Sequence, residues 1–291
     1  MGEIIGAGIL SHVPTIMLPK EVRLHLNKGN EISLIQGFDI LRDQVFADLS
    51  PSAVIVFDTH WFSTVEFLVS GHKQRKGVYT SEELPRGMSQ IPYELVGNPE
   101  LACLIAAESE KTGIRCTAID DPYLPINYPT INLAHYLNSG EAWLSMSICQ
   151  TALSDDFMAI GLAVSEAVSK SDHRVVILAS GGLSHCFWPL RELSKHESSN
   201  PVHIRTPEAR IADEERISWW EMGDHSRVIE TMEEYQKFKP EGLFGHYLMM
   251  VGAIGGVNCS AKGRRLSKYE NAAGTGQVHV WFDKPSAGWA C

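Results

Sequence analysis

Residues 52–61 read SAVIVFDTHW, and the reading of this stretch decides the fold. Ala53, Val54, Ile55, Val56 and Phe57 make an unbroken run rich in β-branched and aromatic side chains. Such a run predicts a strand buried on both faces, as in the middle of an α/β sheet. Where it stops, the chain presents Asp58, Thr59, His60 and Trp61. Ligands of open α/β sheets bind at the carboxyl ends of the strands, so metal-capable side chains at this point bear on function. The arrangement recurs twice. Residues 3–10 (EIIGAGIL) run into Ser11 and His12, and residues 174–179 (RVVILA) run through SGGLS to His185. Three apolar strands, each followed by a turn with one His, predict one shared site at a sheet rim.

Around these strands the pattern is that of a single α/β domain over residues 1–291, its central sheet largely parallel or mixed and flanked by helices. Apolar spacing predicts a helix over 31–49, which makes a βαβ unit with strands 3–10 and 53–57 and favours a parallel pair. Residues 64–70 suggest another strand, and the Gly-, Pro- and Ser-containing remainder of 62–98 reads as a long excursion over one end of the sheet. Asn98 is a candidate N-cap, with Pro99 opening a helix to 111. Further strands are expected at 117–121 and 143–148, and further helices from 131, over 157–169 and over 208–238. In the last of these Ile211, Ile217, Trp219, Trp220, Val228, Ile229 and Met232 are candidate buried positions. An apolar helix over 242–254 and a strand over 278–282 that closes the sheet complete the chain.

Composition narrows the function. A net charge of −10 argues against nucleic acid or an anionic membrane as partner. The short basic cluster Lys262, Arg264, Arg265 and Lys268 reads as a solvated loop. The 6 Cys residues form no CxxC pair, so zinc-finger spacing is absent and a disulfide framework is not expected; Cys103, among Leu101, Ala102, Leu104 and Ile105, reads as a small core residue. No signal peptide and no membrane-spanning segment are expected, and a cytoplasmic location follows.

Of the 12 His residues, His25, His72, His173, His196, His203 and His225 stand in polar contexts where a solvated side chain is expected, and His135, His246 and His279 carry no expected site role. His12, His60 and His185 differ by their common position at strand ends. Two His with one carboxylate form the facial set that suits non-haem Fe(II), and a third His can serve as a general base near neutral pH. Position leaves Asp58, Asp120, Asp121 and Glu241 open as the carboxylate, with Asp58 reading better as an orienting residue. The aromatic pair Trp61 and Phe62 reads equally well as shelter for the site or as core.

Seven motifs occur in order: SHVPT around His12, VFDTHW at 56–61, GVYTSEELP at 77–85, GNPEL at 97–101, LASGGLSH ending at His185, PEG at 240–242 and GTGQV at 274–278. Together they resemble the class III extradiol dioxygenases, and within them the 3,4-dihydroxyphenylacetate 2,3-dioxygenases. The resemblance implies a mononuclear Fe(II) held by His12, His60 and Glu241, with His185 as acid and base and Tyr128 beside the substrate oxygen. It implies ring cleavage of a catechol-type aromatic diol with O₂ in aromatic catabolism, by a homo-oligomer (dimer or tetramer). Loops 124–130 and 186–191 depart from that pattern, which leaves the ring substituent open. A 2-aminophenol substrate, a zinc hydrolase built on the same three ligands, and a non-catalytic subunit are the competing readings. The presence of all four site residues argues against the last.

Overall fold

The apolar runs become the inner strands of a ten-stranded mixed sheet. The computed structural model describes residues 1–290, and Cys291 lies outside them. In chain order the strands are β1 (Glu3–Leu10), β2 (Ala53–Ser63), β3 (Phe67–Ser70), β4 (Gln74–Tyr79), β5 (Ile91–Val96), β6 (Cys116–Ile119), β7 (Ala142–Cys149), β8 (Arg174–Ser180), β9 (Gly263–Arg265), β10 (Glu270–Ala272), β11 (Thr275–Gln277) and β12 (His279–Asp283). The spatial order is β4-β5-β7-β2-β8-β1-β12-β9, with β3 joining β6 to β7, while β10 and β11 form a separate pair.

The central four, β7-β2-β8-β1, are parallel. β1 and β2 run in the same direction, as a helical crossover requires, but they are not neighbours: β8 lies between them and pairs with both. A crossover fixes direction and hand, not adjacency. Register decides where the strands stop. Leu10 and Asp58 both stand opposite Ser180, so the pairings of β1 and β2 with β8 stop at one level, while β2 itself runs on to Ser63 beside β7.

Alternate residues of these strands feed two cores, as the two-residue period of a strand dictates. Ile9, Ile55, Phe57 and Ile177 pack in a cluster with residues of the helices Pro99–Lys111, Ser154–Ser169 and Gly245–Ala253. Val54, Val56, Val176 and Leu178 pack with Leu34, Phe38 and Leu41 and with the helix Tyr128–Leu137. The result is a sheet between two helical layers.

Several expectations need correction. The 62–98 excursion contains the antiparallel hairpin β4–β5, leaving its tip and short connections as loop. The strand over 278–282 does not close the sheet, because β9 pairs outside β12. The basic segment expected as a solvated loop therefore supplies an edge strand, with Arg265 bridging Glu221 at 3.0 Å and Glu214 at 3.2 Å. The 208–238 helix breaks at Gly223, whose φ of 80° ends the first piece, and Asp224 caps the next. Ile211 on it is exposed, since its neighbours Ala209, Ala212 and Ile217 take the inner face. Cys103 is exposed for the same reason, Leu101, Ala102 and Ile105 being the buried side of that helix. His72 and His225 are buried rather than solvated; His225 lies 2.9 Å from the Ala261 carbonyl through Nε2 and 3.1 Å from the Tyr247 hydroxyl through Nδ1. Asn98 does cap its helix, accepting from the Leu101 amide at 2.9 Å. Among the described residues no helix is long and apolar enough to cross a membrane.

One packing detail is directly testable. Gly6 and Gly8 of β1 lie against the fully buried indole of Trp281, and a Cβ on Gly6 would collide with the ring. Gly6→Ala is expected to cost about 1–3 kcal/mol through overpacking. Urea denaturation should show a lower midpoint at unchanged slope; an unchanged midpoint would show that the indole can move aside without loss.

Candidate metal centre

The shared level at which β1 and β2 part from β8 brings the imidazoles to one place. His12 lies two residues past the end of β1, and His60 two residues past Asp58, where β2 loses its regular register with β7 before resuming at Phe62. Glu241 comes from far along the chain, and its amide donates to the Leu183 carbonyl at 3.1 Å. Ligand atoms of His12, His60 and Glu241 all lie within 4.8 Å of one another. Glu241 Oε1 stands 3.1 Å from His12 Nε2 and 3.1 Å from His60 Nε2, and accepts from the Thr59 hydroxyl at 2.7 Å. Glu241 Oε2 accepts from the Gly182 amide at 2.5 Å and faces His185 Nε2 at 3.3 Å. Of the four candidate carboxylates, position alone could not choose Glu241; the fold does, and Asp120 and Asp121 take no part.

Each imidazole is anchored through its other nitrogen. His12 Nδ1 meets the Ser180 hydroxyl at 3.0 Å, and His60 Nδ1 meets Glu83 Oε1 at 3.3 Å. Both Nε2 atoms are thereby turned inward beside Glu241. Imidazoles that bind metals are oriented in this way, by an outer partner on the free ring nitrogen. Electrostatics agree with a cation here. Burial alone would raise the Glu241 pKa, but the neighbouring His12 and His185 and the hydrogen bonds of His12 and His60 hold it well below the carboxylate range. For His60, burial works against the charged form, yet Glu241 and Glu83 outweigh it and push its pKa up to about 10. A divalent cation between these donors supplies the positive charge with both imidazoles neutral, so the donor set fits a metal.

Asp58 does orient His60, but through the backbone. Its Oδ1 accepts from the amides of His60 at 3.0 Å and Trp61 at 3.2 Å, and its Oδ2 accepts from the Thr130 hydroxyl at 2.7 Å. Thr130 in turn pairs with the Ser145 hydroxyl at 2.9 Å, which receives a guanidinium N–H of Arg75 at 2.8 Å. Since Thr130 spends its proton on Asp58, Ser145 must donate to Thr130. A buried carboxylate is thus connected to a buried guanidinium by two hydroxyls in series, each accepting once and donating once.

His185 is half-buried, with Nδ1 3.2 Å from the Leu183 carbonyl and Nε2 toward the trio. Burial lowers its pKa from 6.5, and the neighbouring imidazoles add to that. Tyr128 places its hydroxyl 2.7 Å from His60 Nε2 and donates to Glu83 at 3.3 Å; burial and the two glutamates drive its pKa far up, so it stays a phenol. Phe62 lines the cavity over the trio, whereas Trp61 is buried, so the aromatic pair divides between both readings.

Four contributors were missed. Glu83 lies inside the GVYTSEELP motif and Ser180 inside LASGGLSH, so a signal was present for both. Asp213, on the helix Pro207–Met222, accepts from the hydroxyls of Ser184, Tyr235 and Tyr269 at 2.7, 2.7 and 2.8 Å and so braces the turn before His185; burial raises its pKa to about 6. His246 is buried against Gly181, where a Cβ would lie 2.6 Å from its Nε2, and burial lowers its pKa to about 4. Neither had a local sequence signature.

With this geometry in view, comparison with known proteins defines the class. Residues 6–283 match the catalytic LigB subunit of aromatic ring-opening dioxygenases, and the chain belongs to that family, as an extradiol ring-cleavage dioxygenase. It is 29% identical to 3,4-dihydroxyphenylacetate 2,3-dioxygenase of Escherichia coli, over 88% of this chain and 91% of that protein. It is 25% identical to a 2-aminophenol 1,6-dioxygenase beta subunit of a Pseudomonas species, over 99% of this chain and 97% of that one. An uncharacterized protein of Escherichia coli K12 has the same fold in its crystal structure, with a TM-score of 0.60 and 16% identity over 95% of this chain and 99% of that one.

The Asp58 chain generates a prediction. Thr130→Val keeps the shape but breaks the link between Asp58 and Ser145, and should weaken metal binding about 10- to 100-fold by loosening His60. Competition with a chelating indicator would measure this; unchanged affinity would show that the Asp58–amide bonds suffice alone.

Proposed function

We propose that this chain, as one catalytic domain, carries out Fe(II)-dependent extradiol cleavage of a substituted catechol with O₂. The observation that supports it best is the convergence of His12, His60 and Glu241, with His185 and Tyr128, on one cavity of about 800 Å³. His12, His60 and Glu241 are the proposed ligands. Two neutral imidazoles and one carboxylate leave positions open for a bidentate diol and O₂, the pattern of non-haem Fe(II) oxygenases. A cytoplasmic homo-oligomer, dimer or tetramer, remains the expectation.

When bound, the iron supplies the route by which electrons pass from the diol to O₂. The protein supplies position and protons. With its Nδ1–H directed at the Leu183 carbonyl, neutral His185 turns the Nε2 lone pair toward the cavity. It takes a hydroxyl proton from the diol and returns it to oxygen as the ring opens, one group serving as base and then acid. Tyr128, held as a phenol, gives its one proton to Glu83 when no diol is bound and turns it to the substrate oxygen beside His60 when the diol binds. Glu83 steadies both Tyr128 and His60. A 2-aminophenol would fit the same roles, with an amine in place of one hydroxyl, and the Pseudomonas relative is named for that substrate.

The protein reconstituted anaerobically with Fe(II) should consume O₂ in step with a yellow ring-opened product. Bound iron without O₂ uptake on any catechol or aminophenol, or activity with zinc alone, would favour the hydrolase reading. His185→Gln should keep its iron and lose on the order of 10²–10⁴-fold in turnover, while Glu241→Ala should lose the iron itself; stoichiometric iron in the Glu241 variant would remove it from the ligand set. The pH profile carries a sign. A base works while neutral, and burial lowers the pKa of His185, so the acid limb of kcat/KM should fall below pH 6.5. A limb above that value would assign it to another group.

A further inference from the structure

The cavity over the trio is too large and too apolar for a bare catechol. At about 800 Å³ it is of the size that encloses drug-sized ligands. Its polar lining comprises the trio with Thr59, Tyr128 and His185, and also Thr15, Thr275, Gln277 and the charged side chains considered below. Beyond His12 the wall continues through Val13, Leu18, Val22 and Leu26, and the segment after β8 adds Phe187 and Leu193. Val22 and Leu26 stand one turn apart on the helix Lys20–Leu26, which places them on one face. Val22, Leu26 and Phe187 are 38%, 39% and 50% exposed, and Phe62 on the same cavity is 51% exposed. Apolar surface gathered at one cavity mouth marks a place where an apolar group binds.

The charges in the lining point the same way. Lining carboxylates are Glu83, Glu197 and Glu241; lining cations are Arg86 and Lys239. Arg86 is itself exposed and paired with Glu197 at 3.4 Å, and Lys239 is exposed. A substrate carboxylate held out of water needs a buried partner cation, and apart from His60, whose two ring nitrogens already face Glu83 and Glu241, the lining offers none. We infer that the ring substituent this enzyme selects is uncharged, extended and apolar, an alkyl or aryl group seated among Val22, Leu26, Phe187 and Leu193. The substrate class is therefore an alkyl- or arylcatechol rather than a carboxylate-bearing catechol such as 3,4-dihydroxyphenylacetate. This inference rests on the ring-cleavage reading and adds the substituent to it.

The test compares Fe(II)-loaded protein on catechol, a series of 4-alkylcatechols, 3-phenylcatechol and 3,4-dihydroxyphenylacetate. Both kcat/KM and the Kd measured calorimetrically without O₂ are recorded. Each methylene buried on the apolar wall should raise kcat/KM and tighten Kd roughly fourfold, and the acid should rank below the alkylcatechol of equal length. Leu26→Arg, a change at a partly exposed site away from the metal ligands, should flatten the alkyl series and improve the acid. The acid preferred by the unaltered protein, or an alkyl series flat in both readouts, overturns the inference while leaving ring cleavage standing. A Leu26→Arg protein with unchanged ranking also overturns the seating proposed. Failure to turn over any diol defeats the ring-cleavage reading and this inference with it.

Discussion

A carboxylate sunk at the end of a sheet has to be met by donors or cations, and much of this structure is arranged around meeting Glu241. Its two oxygens face the Thr59 hydroxyl, the Gly182 amide and the imidazoles of His12, His60 and His185. Those groups come from the ends of three parallel strands, β1, β2 and β8, and from the turn that follows β8. One side chain thus ties the whole rim together, which is why the shared level at which β1 and β2 part from β8 matters. The turn presenting Glu241 places Gly242, Leu243 and Phe244 in the left-handed region, at φ of 54°, 58° and 62°. For Leu and Phe that conformation costs about 1–3 kcal/mol each, and it is held by full burial of Phe244 and by the Glu241 amide bond to Leu183.

Around this charged centre the protein layers its polarity. The imidazoles of His185 and His246 are kept neutral by burial, the Tyr128 phenol is kept protonated, and Asp58 is answered at a distance by Arg75 through two hydroxyls. The same cavity is also lined by the partly exposed apolar side chains Phe62, Val22 and Leu26 and by the exposed charged pair Arg86 and Glu197.

How much of this was legible depended on the range of the interaction involved. Buried strands and their polar ends are written locally, so β1, β2 and β8, with His12, His60 and His185, could be read from short runs. The Asn98–Pro99 helix start is equally local. Cys103 and Ile211 were misread because helix faces are chosen by what lies opposite, and neither faces the core. His225 was misread because its polar neighbours in sequence are not its neighbours in space; Tyr247 and the Ala261 carbonyl are. Asp213 stands among charged helix residues that look solvated, and only the folded chain brings Ser184, Tyr235 and Tyr269 onto it.

By itself the sequence determined that apolar strands would end in metal-capable turns, because hydrophobic burial over five or six consecutive residues needs no distant partner to be recognised. Its ordered motifs also carried the family. Tertiary structure alone decided that β8 separates β1 from β2, that both part from β8 at Ser180, and that Glu241 rather than a nearer aspartate faces both imidazoles. It also decided that Ser180 and Glu83 hold those imidazoles and that Val22, Leu26, Phe187 and Leu193 share one cavity with them. These are outcomes of register and of contacts between segments far apart in the chain, and such contacts are settled only when the two cores on either side of the sheet close at once.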